Sequence, residues 1–127
     1  MSSYTFHRDE RLKSRKVIGM LFKEGKSFGQ YPLRVVYMPV EERRSDFPAQ
    51  FTVSVPKKKF PKAVSRNRIR RQVREAWRLN KHRLYRALRG KEQQYALLVI
   101  YVAQEALPYE EIERAMQQMI RRLGKKL

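Results

Sequence analysis

The stretch VSRNRIRRQVREAWR (Val64–Arg78) sets six arginines among a few apolar residues. Wound at 100° per residue, Ile69, Val73, Ala76 and Trp77 fall on one side of a helix, with Asn80 at their edge. Arg66, Arg70, Arg74, Asn67, Arg71 and Arg78 take the neighbouring arc, and Arg68 and Glu75 lie beyond them. A fold for this chain must bury one narrow flank of the helix and leave the next in solvent.

The flanking sequence supplies what that flank can pack on. YPLRVVYMPV alternates Leu33, Val35 and Tyr37 with Arg34, Val36 and Met38, a strand-like pattern. EERRSDFP is polar, ends in proline, and reads as a connection between antiparallel strands. In FTVSV, Phe51, Val53 and Val55 share one face while Thr52 and Ser54 share the other. After Pro61 the period changes from two to 3.6 and stays helical to about Leu79 or beyond, and Gly90 closes the region. YALLVIYVA (Tyr95–Ala103) reads as a buried strand.

Two further helices bracket these elements. Ser14 can cap a short one marked by Val17, Ile18, Leu21 and Phe22 and stopped at Gly25. The last, from Pro108, carries the stripe Ile112, Ala115, Met116, Met119, Ile120 and Leu123. Its Glu110, Glu111 and Glu113 sit at the positive end, Arg121 and Arg122 at the negative end, and Gly124 is the expected stop. The order α-β-β-α-β-α predicts one α+β domain spanning residues 1–127, with a loosely held basic arm over about residues 1–10.

Charge points to the partner. Thirty Lys+Arg against twelve Asp+Glu give a net charge of +18, a self-repulsion that a polyanion would relieve. Between Lys57 and Arg78 the sequence holds ten basic residues and one acid, whereas a merely solvated face mixes its signs. Guanidinium groups fork onto phosphate and stack on bases, which lysine cannot do. The segment reads as a nucleic-acid-facing helix. No zinc-ligand spacing, leucine-zipper heptad or helix-turn-helix pair accompanies it. Phe22, Tyr37, Thr52 and Ser54 suit contact with unpaired bases, although ordinary core packing would also explain the two aromatics.

Other chemistry is missing from the sequence. With no cysteine, disulfides and thiolate metal sites are excluded, which fits a reducing cytoplasmic setting. The N-terminus lacks a secretory apolar stretch, and the longest apolar run is nine residues, far short of the ~20 needed to span a bilayer. A soluble protein without a membrane partner is the expectation. His7 and His82 belong to no nucleophile or metal motif, the carboxylates sit where capping and solvation explain them, and no glycine-rich phosphate loop appears.

The run from Lys57-Lys58 through Ala63-Val64-Ser65-Arg66-Asn67-Arg68-Ile69-Arg70-Arg71-Gln72-Val73-Arg74-Glu75-Ala76 closely resembles the signature of the bacterial ribonuclease P protein component. Arg11-Leu12 and the short helix ending Phe22-Lys23-Glu24-Gly25 extend the resemblance over nearly the whole chain. It implies a small α/β sandwich of the ribosomal protein S5 second-domain type, with room for one further short strand and a left-handed β-α-β connection. It implies a protein that does not cut RNA itself. The catalytic ribonuclease P RNA removes the 5′ leader of precursor tRNA, using Mg²⁺ held mainly by the RNA.

By the same resemblance Arg66, Asn67, Arg68, Arg70, Arg71 and Arg74, with Lys57 and Lys58, face that RNA. Phe22 and Tyr37 line a cleft for the single-stranded leader. Ile18 stands where many members carry a second cleft aromatic, and Phe60-Pro61-Lys62 replaces a glycine-containing turn. Asn67 has two readings: it orients a phosphate or metal-bound water, or it hydrogen-bonds within the helix. A structural rRNA-binding protein and a basic DNA-binding protein are the alternatives that charge alone leaves open.

Overall fold

The computed structural model describes residues 6–127. In order they form a 3-10 turn at Arg8–Glu10, α1 (Arg15–Glu24), β1 (Lys26–Gln30), β2 (Leu33–Pro39), β3 (Ala49–Ser54), α2 (Ala63–Ala87), β4 (Tyr95–Tyr101) and α3 (Tyr109–Lys126). The four strands make one mixed sheet in the order β1-β2-β4-β3, with β3 and β4 parallel and the other pairings antiparallel. This is the α+β architecture expected, with β1 as the further short strand.

Two features depart from the alternation argument. β2 and β3 run in opposite directions but are not neighbours, because β4 lies between them. The run YALLVIY can bury both of its faces, so it takes a central place in the sheet, and the more polar β1 and β3 become edges. β1, with sequence KSFGQ, has Phe28 as its one buried residue and so offered no periodic signal.

The sheet is covered on both sides. Leu12 and the α1 residues Val17 and Leu21 pack on Val36, Met38, Ala96 and Leu98. On the other face α2 and α3 lie side by side over Leu33, Val35, Phe51, Val53, Leu97 and Val99. The end of α1 meets the sheet closely: a Cβ on Gly25 would stand 2.5 Å from the Leu21 carbonyl oxygen and 2.7 Å from Val36 Cγ1. Glycine is required there by contact, and Ser14 Oγ caps the other end of α1 by accepting from Val17 N–H at 3.2 Å. Gly124 does not stop its helix. α3 runs on to Lys126, and Gly124 instead faces Ala87 of α2, where small residues let the two helices approach.

α2 is docked by its apolar stripe. Trp77 is fully buried and lies flat on Phe51, ring centroids 4.5 Å apart and planes within 4°. Tyr85 meets Trp77 edge-on at 6.1 Å. Of the arm expected over about residues 1–10, Phe6 onward makes packing contacts, and the first five residues lie outside those described. Phe6 packs edge-on against Phe51, and Glu10 is buried with Lys81 Nζ 2.6 Å from both of its carboxylate oxygens. Tyr85 Oη and the backbone N–H of His7 donate to the same carboxylate. Burial, and then the Glu10 charge, push the Tyr85 phenol far above its ordinary value, so it stays a donor. No described helix is long and apolar enough to cross a membrane.

Trp77→Ala is expected to cost ~3–5 kcal/mol, read by urea unfolding; a loss below 1 kcal/mol would mean that α2 docks by another face. Glu10→Gln strands the Lys81 ammonium in the interior and should cost ~3–5 kcal/mol. Pairing Glu10→Gln with Lys81→Met should recover much of that loss in the same measurement.

Candidate nucleic-acid interface

The interface begins at the turn after β3. Lys57 and Lys58 are exposed on it, while Lys59 Nζ donates to the Val102 carbonyl at 2.8 Å and anchors the turn to the end of β4. Phe60 is buried edge-on against Tyr101, and its N–H donates to Pro56 O. A glycine-free approach to α2 is possible here because Arg66 folds back. Its Nη1 donates to the carbonyls of Phe60 and Pro61, each at 2.8 Å. Arg66 thus ties the lysine turn to the first turn of α2 instead of extending into solvent.

One turn on, Asn67 Oδ1 accepts from Arg70 Nη1 at 2.9 Å. The amide is used within the helix, where it orients the Arg70 guanidinium. Arg74 follows on the same flank, and a third arginine joins from elsewhere in the chain. Arg11 forms an isolated bridge with Phe51, and Leu12 N–H donates to Phe51 O at 2.9 Å, so the arm runs along the free edge of β3. Partial burial, and then the charges of Arg11 and Arg70, hold the Arg74 guanidinium below its ordinary value. The charges of Arg11 and Arg70 both act against that of Arg74, so the field on this flank is positive. In the sequence Arg11 figures only as part of the Arg11-Leu12 resemblance and not as a site residue; the packing of its neighbours Glu10 and Leu12 puts it there.

The remaining arginines face elsewhere. Arg68 and Arg71 line a shallow depression with Gln72, Glu75 and Tyr109, on the side toward α3. There Glu75 pairs with Arg78 at 2.6 Å, and this hydrogen bond holds the Glu75 carboxyl below its usual range. Burial, then the Glu113 and Glu75 charges, push the Tyr109 phenol up to about 12. α2 therefore has a flank with mixed signs toward α3 and an unrelieved positive flank toward β3.

The two aromatic positions are separated by the sheet. Phe22 is 65% exposed on α1, with half-buried Ile18 one turn before it on the same flank. Tyr37 is buried on the opposite face, edge-on to Phe28 at 6.1 Å, and does not share a cleft with Phe22. A one-residue step along a strand changes face, and it is Val36, not Tyr37, that meets α1. Thr52 and Ser54 do lie on the α1 face, since they pair in register with Leu98 and Ile100. Across β4 from them, Arg34 on β2 donates to Ser27 Oγ of β1 at 2.9 Å. The α1 face of the sheet thus carries one exposed aromatic on its helix and the Thr52 and Ser54 hydroxyls on β3. Among the described residues no three His, Asp or Glu side chains gather as a metal site.

Arg74→Ala and Arg11→Ala should each flatten the salt dependence of binding to single-stranded RNA by ~0.7 log units per lost phosphate contact. Arg78→Ala should leave the slope unchanged, and fluorescence anisotropy across a salt series measures all three.

Comparison with known proteins bears on this interface. The Ribonuclease P family model matches residues 6–124. The ribonuclease P protein component of Porphyromonas gingivalis (strain ATCC 33277) is 44% identical over 124 residues, covering 97% of this chain and 89% of that protein. That of Chlorobaculum tepidum is 37% identical over 116 residues, covering 85% and 75%. The solved RNase P protein from Thermotoga maritima superposes with a TM-score of 0.69 at 23% identity, covering 88% of this chain and 96% of that one. The Staphylococcus aureus RNase P protein gives 0.67 at 22% identity, covering 91% and 95%. With an arginine-flanked α2 on a four-stranded sheet and a sequence match over nearly its whole length, this chain belongs to the ribonuclease P protein component family.

Proposed function

We propose that this chain, a protein subunit of ribonuclease P in tRNA processing, grips two RNA elements and contributes no catalytic group. The catalytic RNA takes the flank of Arg70 and Arg74 together with the lysine turn at Lys57 and Lys58. The single-stranded 5′ leader of precursor tRNA takes the cleft between α1 and β3, where Phe22 stacks on a base. Mg²⁺ is held by the RNA and activates the hydrolysis. Oxygen ligands and retained waters suit phosphates better than this arginine-rich surface. The complex works in the cytoplasm, on precursors whose leaders differ in sequence.

The observation that supports this reading is the arginine flank of α2, docked on β3 through Trp77 and Phe51, beside the arm in which Arg11 bridges Phe51. Holding like charges together costs free energy in the isolated protein, and a phosphate backbone recovers it on binding. Leaders of varied sequence call for contacts to phosphate and to π-faces rather than to base edges. Arginine, lysine and one open aromatic supply those contacts. Asn67 serves the same end by fixing where Arg70 points.

The test is reconstitution with a bacterial ribonuclease P RNA and a precursor tRNA at low Mg²⁺. Mature 5′ ends should need both components and disappear in an Arg11, Arg70 and Arg74 triple alanine variant; raising Mg²⁺ should restore cleavage by the RNA. Tight RNA binding without stimulation of any such RNA would point to a structural rRNA-binding role, and preference for duplex DNA to a DNA-binding one. Phe22→Ala should weaken leader-bearing precursor by ~1–3 kcal/mol while leaving mature tRNA unchanged, as measured by competition binding. Equal losses on both would remove Phe22 from the leader.

A further inference from the structure

At the opposite end of α2 the arm, the β2–β3 connection and the helix terminus enclose a cavity of about 560 Å³. Arg86 lies sixteen residues beyond Arg70, or about 24 Å along the helix, so this cavity is separate from the arginine flank at the β3 edge. Its wall is aromatic: the rings of His7 and Phe47 lie 5.4 Å apart, tilted by 35°, and Tyr85 stands across from the connection. At its base Glu10 is neutralised by Lys81. Its rim carries Arg86 and Arg89, both exposed, whose guanidiniums make no hydrogen bond or ion pair to the described residues.

Cations near a helix C-terminus are favourable in themselves, and that accounts for part of their placement. It does not account for a walled aromatic space beside them. The turn that closes α2 is also built to leave the rim open. Gly90 takes φ +83°, a conformation that side chains rarely adopt, and Lys91 N–H returns to Leu88 O at 3.1 Å. Lys91 Nζ is drawn away to the Leu127 carbonyl, and Arg43 is tied to the carbonyls of Asp46 and Glu92. Arg86 and Arg89 are thus the rim cations with hydrogen-bonding capacity to offer.

We propose that this cavity binds an unpaired nucleotide of an RNA partner, its base against Phe47 and His7 and its phosphate on Arg86 and Arg89. The choice of RNA as ligand rests on the function proposed above. The site gives the protein a second grip, far enough from the first to fix the orientation of α2 on a folded RNA.

Adenosine monophosphate is the probe, titrated into the free protein and followed by amide shifts in ¹H–¹⁵N NMR. Saturable shifts are expected at Phe47, Arg86 and Gly90, retained in Arg70→Ala/Arg74→Ala protein. They should weaken about tenfold or more in Arg86→Ala/Arg89→Ala, the factor for losing about 1.4 kcal/mol of charge-assisted hydrogen bonding. Adenosine and inorganic phosphate should each bind less well than the nucleotide. Inorganic phosphate binding as well as the nucleotide would reduce the cavity to an anion site and overturn the base contact. Shifts confined to the Arg70 and Arg74 region would overturn the site altogether. Neither result would touch the leader reading, which is judged by cleavage and by Phe22→Ala.

Discussion

The flat stack of Trp77 on Phe51 decides how everything else in this protein is placed. A helix so rich in arginine can be held only by its narrow apolar stripe, and the stack fixes the rotation of α2 about its axis. Phe51 is shared. Phe6 meets its ring edge-on, Arg11 bridges its backbone, and Leu12 donates to its carbonyl. One residue of an edge strand therefore sets both the helix that carries the positive flank and the arm that adds to it. Hydrophobic burial here positions charge as well as stabilising the core.

The polar contacts around that stack are divided between two tasks. Glu10 is withdrawn from the surface and spent on Lys81 and Tyr85, which pins the arm to α2. Glu75 is spent on Arg78, on the side toward α3. Around Arg74 it is the charges of Arg11 and Arg70 that act, and both oppose its own. Glu10 and Glu75 are thus used where they build structure, away from the flank of Arg70 and Arg74. Two family-signature residues also serve the scaffold: Arg66 closes the lysine turn through two carbonyls, and Asn67 steers Arg70.

The two faces of the sheet divide the work in the same way. Tyr37 and Phe28 belong to the large core under α2 and α3, while Phe22 remains exposed on α1, on the other side of the sheet. A surface with one stacking ring and several hydroxyl and cationic groups tolerates many sequences, because a base is gripped by its face and its phosphate rather than read at its edges.

Much of this was legible in the residues. The stripes of α2 and α3, the Ser14 cap, the buried run of β4 and the charged flank follow from local periodicity, which depends only on side-chain chemistry and the geometry of a helix or strand. The expected stop at Gly124 failed because a glycine also serves where two helices touch, as Gly124 and Ala87 do. β1 stayed hidden because a mostly polar edge strand has no pattern to show. What the sequence determined by itself is that a basic helix must lie on a small sheet and present arginine to a polyanion. Only the tertiary structure decided that β4 separates β2 from β3, that Tyr37 is core while Phe22 is open, and that Arg11 joins Arg70 and Arg74. Those outcomes depend on which elements meet across long stretches of chain, and that is settled by packing against partners that local pattern cannot identify.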